Sequence, residues 1–504
     1  MNNLLTRAKA IAQKDIYLPL LLFLVVFTVD KIVLKFVGIV LLYLLHPDFN
    51  FRRDLRKVPL FYPLLLILEV LKFLLFNRDF SIGHTVSFLL GSLFWVISFL
   101  SLHQMRTIVD QKDRERIYRT VTVFFFINAG ISLINLLLAM YRSGSLNPYA
   151  LVETNFGSST GDLIKGLFQG PSFLNMMMSS FFVFFYLVRK KYSLAVLAFL
   201  VTLLTTSNLC NLIMLPVLVA FLIFTRDNRS RVWAAGFLTF FAVFYLFITP
   251  SNFRYLKSSI FVPKKQKEEM IAYEKKAILI QEENARNPAY GHGPGSDKLP
   301  AYSAANVDAM LSRHSLDSIA DTSVALTGGS GKLQSFKQTA HYLKSGAGPL
   351  LIGAGMGRFS SFLALRMSDV DKEEGSRLFT YLPTYVAPPF RQNHYKIFKA
   401  LYSLPREFHS VKHFPNSFLN QVFGEYGLVG AALFLLTYAW WFIRRFRQLT
   451  YGRYLLFLLG GYLLIDYLFE YLSVVPVFEL LIFFDLRGSN DSSPVAKPLQ
   501  AKDS

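Results

Sequence analysis

The stretch "KHFPNSFLNQVFGEYGLVGAALFLLTYAWWFIRRFR", residues 412–447, runs from a histidine through an asparagine-rich turn into an apolar span and ends on arginines. A continuous helix over 416–443 would be about 42 Å long, against a hydrocarbon core of about 30 Å. Its first two turns must then project beyond the apolar layer. Asn416 or Ser417 suits the N-cap, and His413, Asn416, Asn420 and Gln421 would stand at the membrane–water boundary. Gly424, Gly427 and Gly430 recur every third residue and predict close approach of a neighbouring helix, with Glu425 beside that face.

The remainder of the chain has the same character. Its 504 residues are 53% hydrophobic and 16% aromatic, which excludes an ordinary soluble domain and predicts an all-α polytopic membrane protein. Apolar segments predict about twelve spans, at 17–29, 32–46, 58–77, 83–102, 120–141, 171–188, 192–206, 209–225, 232–250, 416–443, 454–472 and 474–486. The first is followed by others and is not read as a cleaved signal peptide. Residues 1–250 form an N-terminal bundle of about nine spans, 251–415 a large and mostly helical loop, 416–486 the C-terminal helices, and 487–504 a disordered tail.

The net charge of +20 is distributed as topology, not as a nucleic-acid footprint. Arg and Lys cluster in alternate short loops, for example Arg52, Arg53, Arg56 and Lys57, then Arg106 to Arg119, then Arg444, Arg445 and Arg447. The positive-inside rule puts these loops, the N-terminus and the tail in the cytoplasm, and the large loop outside. That loop holds 22 Lys and Arg against 14 Asp and Glu, and long loops are exempt from the rule. The single cysteine, Cys210, allows no internal disulfide, and the histidines lack metal-ligand spacing, so no metal or other cofactor is expected.

Three further features carry candidate chemistry. "GAGMGRF", 353–359, is either a tight turn or a backbone cradle for an anion, with Gly353, Gly355 and Gly357 permitting the approach and Arg358 and Arg366 nearby. It lacks the fingerprint of a nucleotide site. "DLIKGLFQGPSFLN", 162–175, brings Lys165 and a Gly-Pro turn to the end of a span. Asp466 and Glu470 lie four apart on one predicted helix face, and Lys31, Lys35 and Glu69 are further charges at membrane depth.

"HFPNSFLNQVFGEYGLVG", "LIGAGMGRF" and "KGLFQGPSFLN" together resemble the O-antigen ligase and O-antigen polymerase family of bacterial envelope glycosyltransferases. Here Phe414 and Pro415 separate His413 from Asn416, and Lys165 stands where arginine is common, which favours polymerase over ligase. The resemblance implies a GT-C-like fold in the bacterial inner membrane. It implies transfer of a glycan from an undecaprenyl-diphosphate carrier to an acceptor hydroxyl outside the cytoplasm, with a flippase and a chain-length regulator as partners. Under it, His413 would be the catalytic base and Glu425 its companion. Arg358, Arg366, Arg391 and Lys165 would bind the diphosphate, and Asn416, Asn420 and the three glycines would position the acceptor or headgroup. A secondary transporter or flippase, or a scaffold subunit of an envelope assembly, are the rival readings, although no internal repeat supports a transporter.

Overall fold

In a computed structural model of the full chain, the described residues are 15–29, 31–47, 57–77, 79–151, 164–249, 331–368, 370, 382–402, 411 and 414–492. They are all-helical, with no strand among them. Among the described residues the first nine α-helices are α1 Leu18–Thr28, α2 Ile32–Leu45, α3 Phe61–Phe76, α4 Ile82–Gln111, α5 Arg114–Ser143, α6 Ser172–Val188, α7 Tyr192–Leu204, α8 Asn208–Phe224 and α9 Asn228–Val243. The region ahead of the C-terminal helices holds α10 Gly331–Leu343, α11 Ala347–Ile352, α12 Phe362–Met367, α13 Pro388–Gln392 and α14 His394–Tyr402. The C-terminal set is α15 Phe418–Leu433, α16 Gly452–Tyr462, α17 Leu468–Tyr471 and α18 Val475–Ser492.

Four helical stretches are long and apolar enough to cross a bilayer: Ile82–Gln111, Arg114–Ser143, Asn228–Ile248 and Phe418–Gln448. Shorter apolar helices accompany them, and the protein is a membrane protein. Local chemistry sets the ends. Ser81, Asp113 and Asp227 accept backbone N–H bonds as N-caps of α4, α5 and α9, and Gly144 closes α5 in the left-handed region. At the centre, α6 is buried on every side from Ser172 to Leu187, as is α18 from Val475 to Phe484. Their polar residues, Asn175, Ser179 and Ser180 on α6 and Glu479 on α18, are kept from lipid by this central position. Beside α18, the rings of Phe61, Phe418, Phe434, Tyr438 and Phe469 pack on one another, and Tyr62 and Tyr438 hydroxyls donate to Glu479 Oε1 at 2.6 and 3.0 Å.

The structure departs from the sequence-based expectation at three C-terminal helices. The span expected over 416–443 starts at Phe418, with Ser417 as its cap, and kinks at Gly427, where φ is 63° and ψ −159°. The cause is the segment 353–361, which crosses the helix there. Ala354 and Gly355 donate their N–H groups to the carbonyls of Gly424 and Glu425 at 2.9 and 2.8 Å. Gly353 and Gly427 meet backbone to backbone: a Cβ on either would lie 2.5 to 2.7 Å from main-chain atoms on the other side. The close approach that the glycine spacing predicts is thus made by an irregular segment and α11, not by another long helix. The span expected over 454–472 is also broken. α16 stops at Tyr462, and Asp466 precedes α17, so Asp466 and Glu470 do not share one continuous helix face. The C-terminal helix runs to Ser492, past the expected limit at 486. Residues 1–14, 251–330 and 493–504 lie outside the described residues.

Near each break a buried or largely buried lysine takes backbone carbonyls. Lys72 Nζ donates to the carbonyls of Ile352 and Glu425 at the α15 kink. Lys332 Nζ donates to those of Phe414, Asn416 and Ile465. Lys35 Nζ reaches the Tyr471 carbonyl, beside Leu472 in the left-handed region. Irregular backbone at membrane depth survives only where protein groups satisfy it in this way.

Gly427→Ala or Gly353→Ala forces a side chain into main-chain atoms at a positive φ. Each variant is expected to lose on the order of 2 to 4 kcal/mol, or to fail to fold. Gly130 on α5 has open space around its Cβ position, and Gly130→Ala should be neutral or stabilising by up to about 1 kcal/mol. Thermal unfolding of the purified variants in detergent measures both, and equal stability of all three would contradict the contact.

Candidate functional site

The site is built where α3 ends and α4 begins. Asn77 Oδ1 accepts the Asp79 N–H at 3.1 Å, which turns the chain, and Ser81 Oγ accepts the His84 N–H to start α4. His84 Nδ1 then lies 2.6 Å from the Asp79 carbonyl. A carbonyl only accepts, so Nδ1 carries the proton and Nε2 of the neutral ring keeps its lone pair. Phe73 and Tyr385 flank the imidazole, with centroids 5.5 and 5.6 Å away. Tyr385 OH donates to Asp79 Oδ2 at 2.9 Å, and the Ser81 N–H meets Oδ1 at 3.0 Å. Partial burial acts to raise the Asp79 carboxyl, but the Ser81 and Tyr385 bonds outweigh it and hold it below its ordinary value.

His84 faces a pocket of about 200 Å³ whose wall includes Glu69, Lys72, Phe76, Phe88, Gly353, Gly355 and Arg358. It lies at the end of α4 away from the basic turn between α4 and α5. A Cβ placed on Gly355 would sit 3.4 Å from Arg358 Cδ and 3.7 Å from Lys72 Nζ, so the two cations converge over this glycine at φ 102°. Lys72 is committed to the two carbonyls and to Glu69 at 3.4 Å, and it contributes charge more than hydrogen bonds. Glu69 offsets that charge. Among the lining residues Arg358 is the surplus charge, with Nε lacking a hydrogen-bond partner among the described residues and the guanidinium bonded to the Tyr385 hydroxyl that donates to Asp79. A pocket with one surplus guanidinium selects an anion, and arginine grips phosphate oxygens in pairs. Its volume is below the roughly 300 to 1,000 Å³ of drug-sized sites, so it takes a polar head and not a whole amphiphile. Phe76, on its rim, is 65% exposed next to exposed Leu74 and Leu75, which leaves an apolar path from the rim onto the bundle's surface.

The amides of the glycine segment are already occupied. Met356 N donates to Glu69 Oε2 at 3.0 Å, Phe359 N to Glu425 Oε1 at 3.4 Å, and Phe362 N to Glu470 Oε2 at 2.6 Å. The cradle expected for a ligand phosphate therefore holds three of the protein's own carboxyl groups.

Of the residues selected from sequence, Arg358, Gly353 and Gly355 line the pocket, and Gly357 packs behind it against Ser87. Glu425 is buried behind the wall as an acceptor for the segment. Arg366 stacks on Phe362 at 4.7 Å, Arg391 is exposed at the end of α13, and Lys165 is half-buried before α6. None of these three lines the pocket. Asn420 is fully buried and bonded to Ser335, Thr339 and Pro415, so it joins α10 to α15 and faces no headgroup. Asn416 offers its carbonyl to Lys332. His413 lies outside the described residues. Sequence reasoning missed Lys72, His84 and Asp79. The available signal was "EVLK", an acid and a base three residues apart inside an apolar span.

A second polar layer holds α10 and α14 on the membrane helices. His394, fully buried, contacts Ser360 Oγ through Nδ1 at 2.7 Å and the Ser335 carbonyl through Nε2 at 3.1 Å. The carbonyl fixes the proton on Nε2, so Ser360 donates to Nδ1 and Tyr467 OH donates to Ser360. Burial pushes the His394 imidazole down to about 4. Burial likewise lowers Lys332 to about 8, against the attraction of Asp466.

No protein-family model, no curated protein and no solved structure matches the chain.

His394 titrates near 6.5 when unfolded and near 4 when folded. Between those values the unfolded chain binds more protons, so stability should rise with pH and be lost progressively from about pH 6.5 down to 4. His394→Gln should flatten that part of the Tm profile. Parallel profiles for the two proteins would contradict the assignment.

Proposed function

We propose that the protein is a membrane glycosyltransferase of the O-antigen polymerase type, transferring a glycan from an undecaprenyl-diphosphate carrier to an acceptor sugar hydroxyl. The observation that carries this reading is the small pocket with a surplus guanidinium, Arg358, opening beside an apolar rim at Phe76. Such a pocket suits the diphosphate head of an amphiphile whose chain stays in lipid. The sequence resemblance supplies the reaction class, and "GAGMGRF" contributes Arg358 itself.

Charge distribution supports the orientation. The basic turn at the far end of α4 belongs in the cytoplasm by the positive-inside rule, so the pocket opens on the outer face of a bacterial inner membrane. In this reading the chain crosses about twelve times in a GT-C-like arrangement, with the shorter apolar helices crossing in pairs or where the bilayer thins around them. Departure of the diphosphate requires charge stabilisation, which Arg358 supplies directly and Lys72 through its field. A polymerase is preferred to a ligase because Phe414 and Pro415 interrupt the ligase spacing.

Cells carrying Arg358→Ala should insert the protein normally yet accumulate lipid-linked repeat units, with surface glycan reduced by about tenfold or more. Purified Arg358→Ala should also lose the thermal protection that undecaprenyl diphosphate gives the wild type. Unchanged glycan together with unchanged protection would overturn the site.

A further inference from the structure

We infer that His84 is the general base of this pocket, taking the proton from the acceptor hydroxyl as the glycosidic bond forms. The inference rests on the glycosyltransferase reading and adds a residue to it. It is carried by geometry. The Asp79 carbonyl, 2.6 Å from Nδ1, fixes the ring's proton there, and the neutral ring then has its lone pair on Nε2. The ring stacks on Tyr385, has Phe73 tilted against it, and lines the same cavity as Arg358 and Lys72. An imidazole with a fixed tautomer, oriented by a backbone acceptor beside a cationic leaving-group site, has the arrangement that general-base catalysis requires.

The step balances without any further reagent. The acceptor O–H bond breaks and its proton passes to His84 Nε2. The oxygen's electron pair forms the new bond to the anomeric carbon. The bond from that carbon to the diphosphate oxygen breaks, and its electron pair leaves on the lipid diphosphate beside Arg358. The imidazolium then returns its proton to solvent or to the departing diphosphate.

The titratable and charged groups around the ring are Asp79 and Tyr385 on the flanking loops, Arg358 on the glycine segment, and Glu69 and Lys72 on α3. The other histidine at issue is His413, which the family resemblance nominates for the same role. The two are separable by experiment.

The test uses full-length protein in native membranes, with radiolabelled undecaprenyl-diphosphate oligosaccharide extracted from those membranes as donor. His84→Asn keeps an amide N–H on the Asp79 side and removes the base. It should cut transfer by about 10² to 10⁴-fold and abolish the acidic limb of the pH–rate profile. Protection by undecaprenyl diphosphate should stay within about twofold of wild type. His84→Ala should regain part of the lost rate when imidazole is added. Transfer by His84→Asn within about threefold of wild type, with Arg358→Ala inactive, would overturn the base while leaving the glycosyltransferase reading intact. Loss of the acidic limb in His413→Asn but not in His84→Asn would also overturn it. Wild-type membranes that bind the donor and form no glycosidic product would overturn both.

Discussion

A polar group inside a bilayer protein has no water to fall back on, and this fold is organised by how it meets that constraint at one segment. The chain from Gly353 to Phe362 is irregular, yet it runs against α3, α15 and α17. Its amides donate to Glu69, Glu425 and Glu470, one carboxyl from each helix. Each such bond to an ionisable group contributes roughly 1.5 to 3 kcal/mol, and leaving either partner unmet costs as much or more. The contact of Gly353 with Gly427 brings the segment close enough for these bonds, and the kink in α15 follows from it. Lys72 then takes the Glu425 carbonyl at the kink together with the Ile352 carbonyl at the end of α11.

The pocket is a consequence of that arrangement. With its amides directed to carboxyl groups and most of its side chains buried, the segment contributes Arg358 as its one charged side chain in the cavity wall. Lys72, held for structural reasons, leaves its charge at the same place. The loop from Asn77 to Ser81 orients His84 from the opposite wall through a backbone carbonyl. Structural and chemical roles therefore meet in neighbouring residues. Mutational loss at Glu69, Glu425 or Glu470 would report first on the segment's position and only through it on the chemistry.

The membrane class and the apolar helices were legible because twenty-residue apolar runs have few other uses. The closeness of the glycines in the 424–430 run was also legible, but its partner was not. Spacing announces room for a backbone without saying whether a helix or an irregular segment fills it. The broken helix near Asp466 was hidden for a related reason. Its sequence carries no Gly or Pro at the break and stays apolar apart from Asp466 and Glu470, and Lys332, which takes the carbonyl of Ile465, lies 133 residues away. Arg358 was identifiable from its motif. Asn420 looked like a headgroup ligand because an amide at a helix start reads the same whether it faces lipid or Ser335 and Thr339. His84 gave little signal, since its role comes from the tautomer imposed by the Asp79 carbonyl and from stacking against Tyr385, 301 residues later.

The most direct measurement is an electron cryo-microscopy map of the full chain in lipid nanodiscs with undecaprenyl diphosphate bound. The expected map has diphosphate density within hydrogen-bonding distance of the Arg358 guanidinium, His84 Nε2 directed to the side of the cavity left open for the acceptor, and the polyprenyl chain leaving past Phe76. Diphosphate density away from Arg358, or seated on the amides of 354–362 with the three glutamates displaced, would contradict the account.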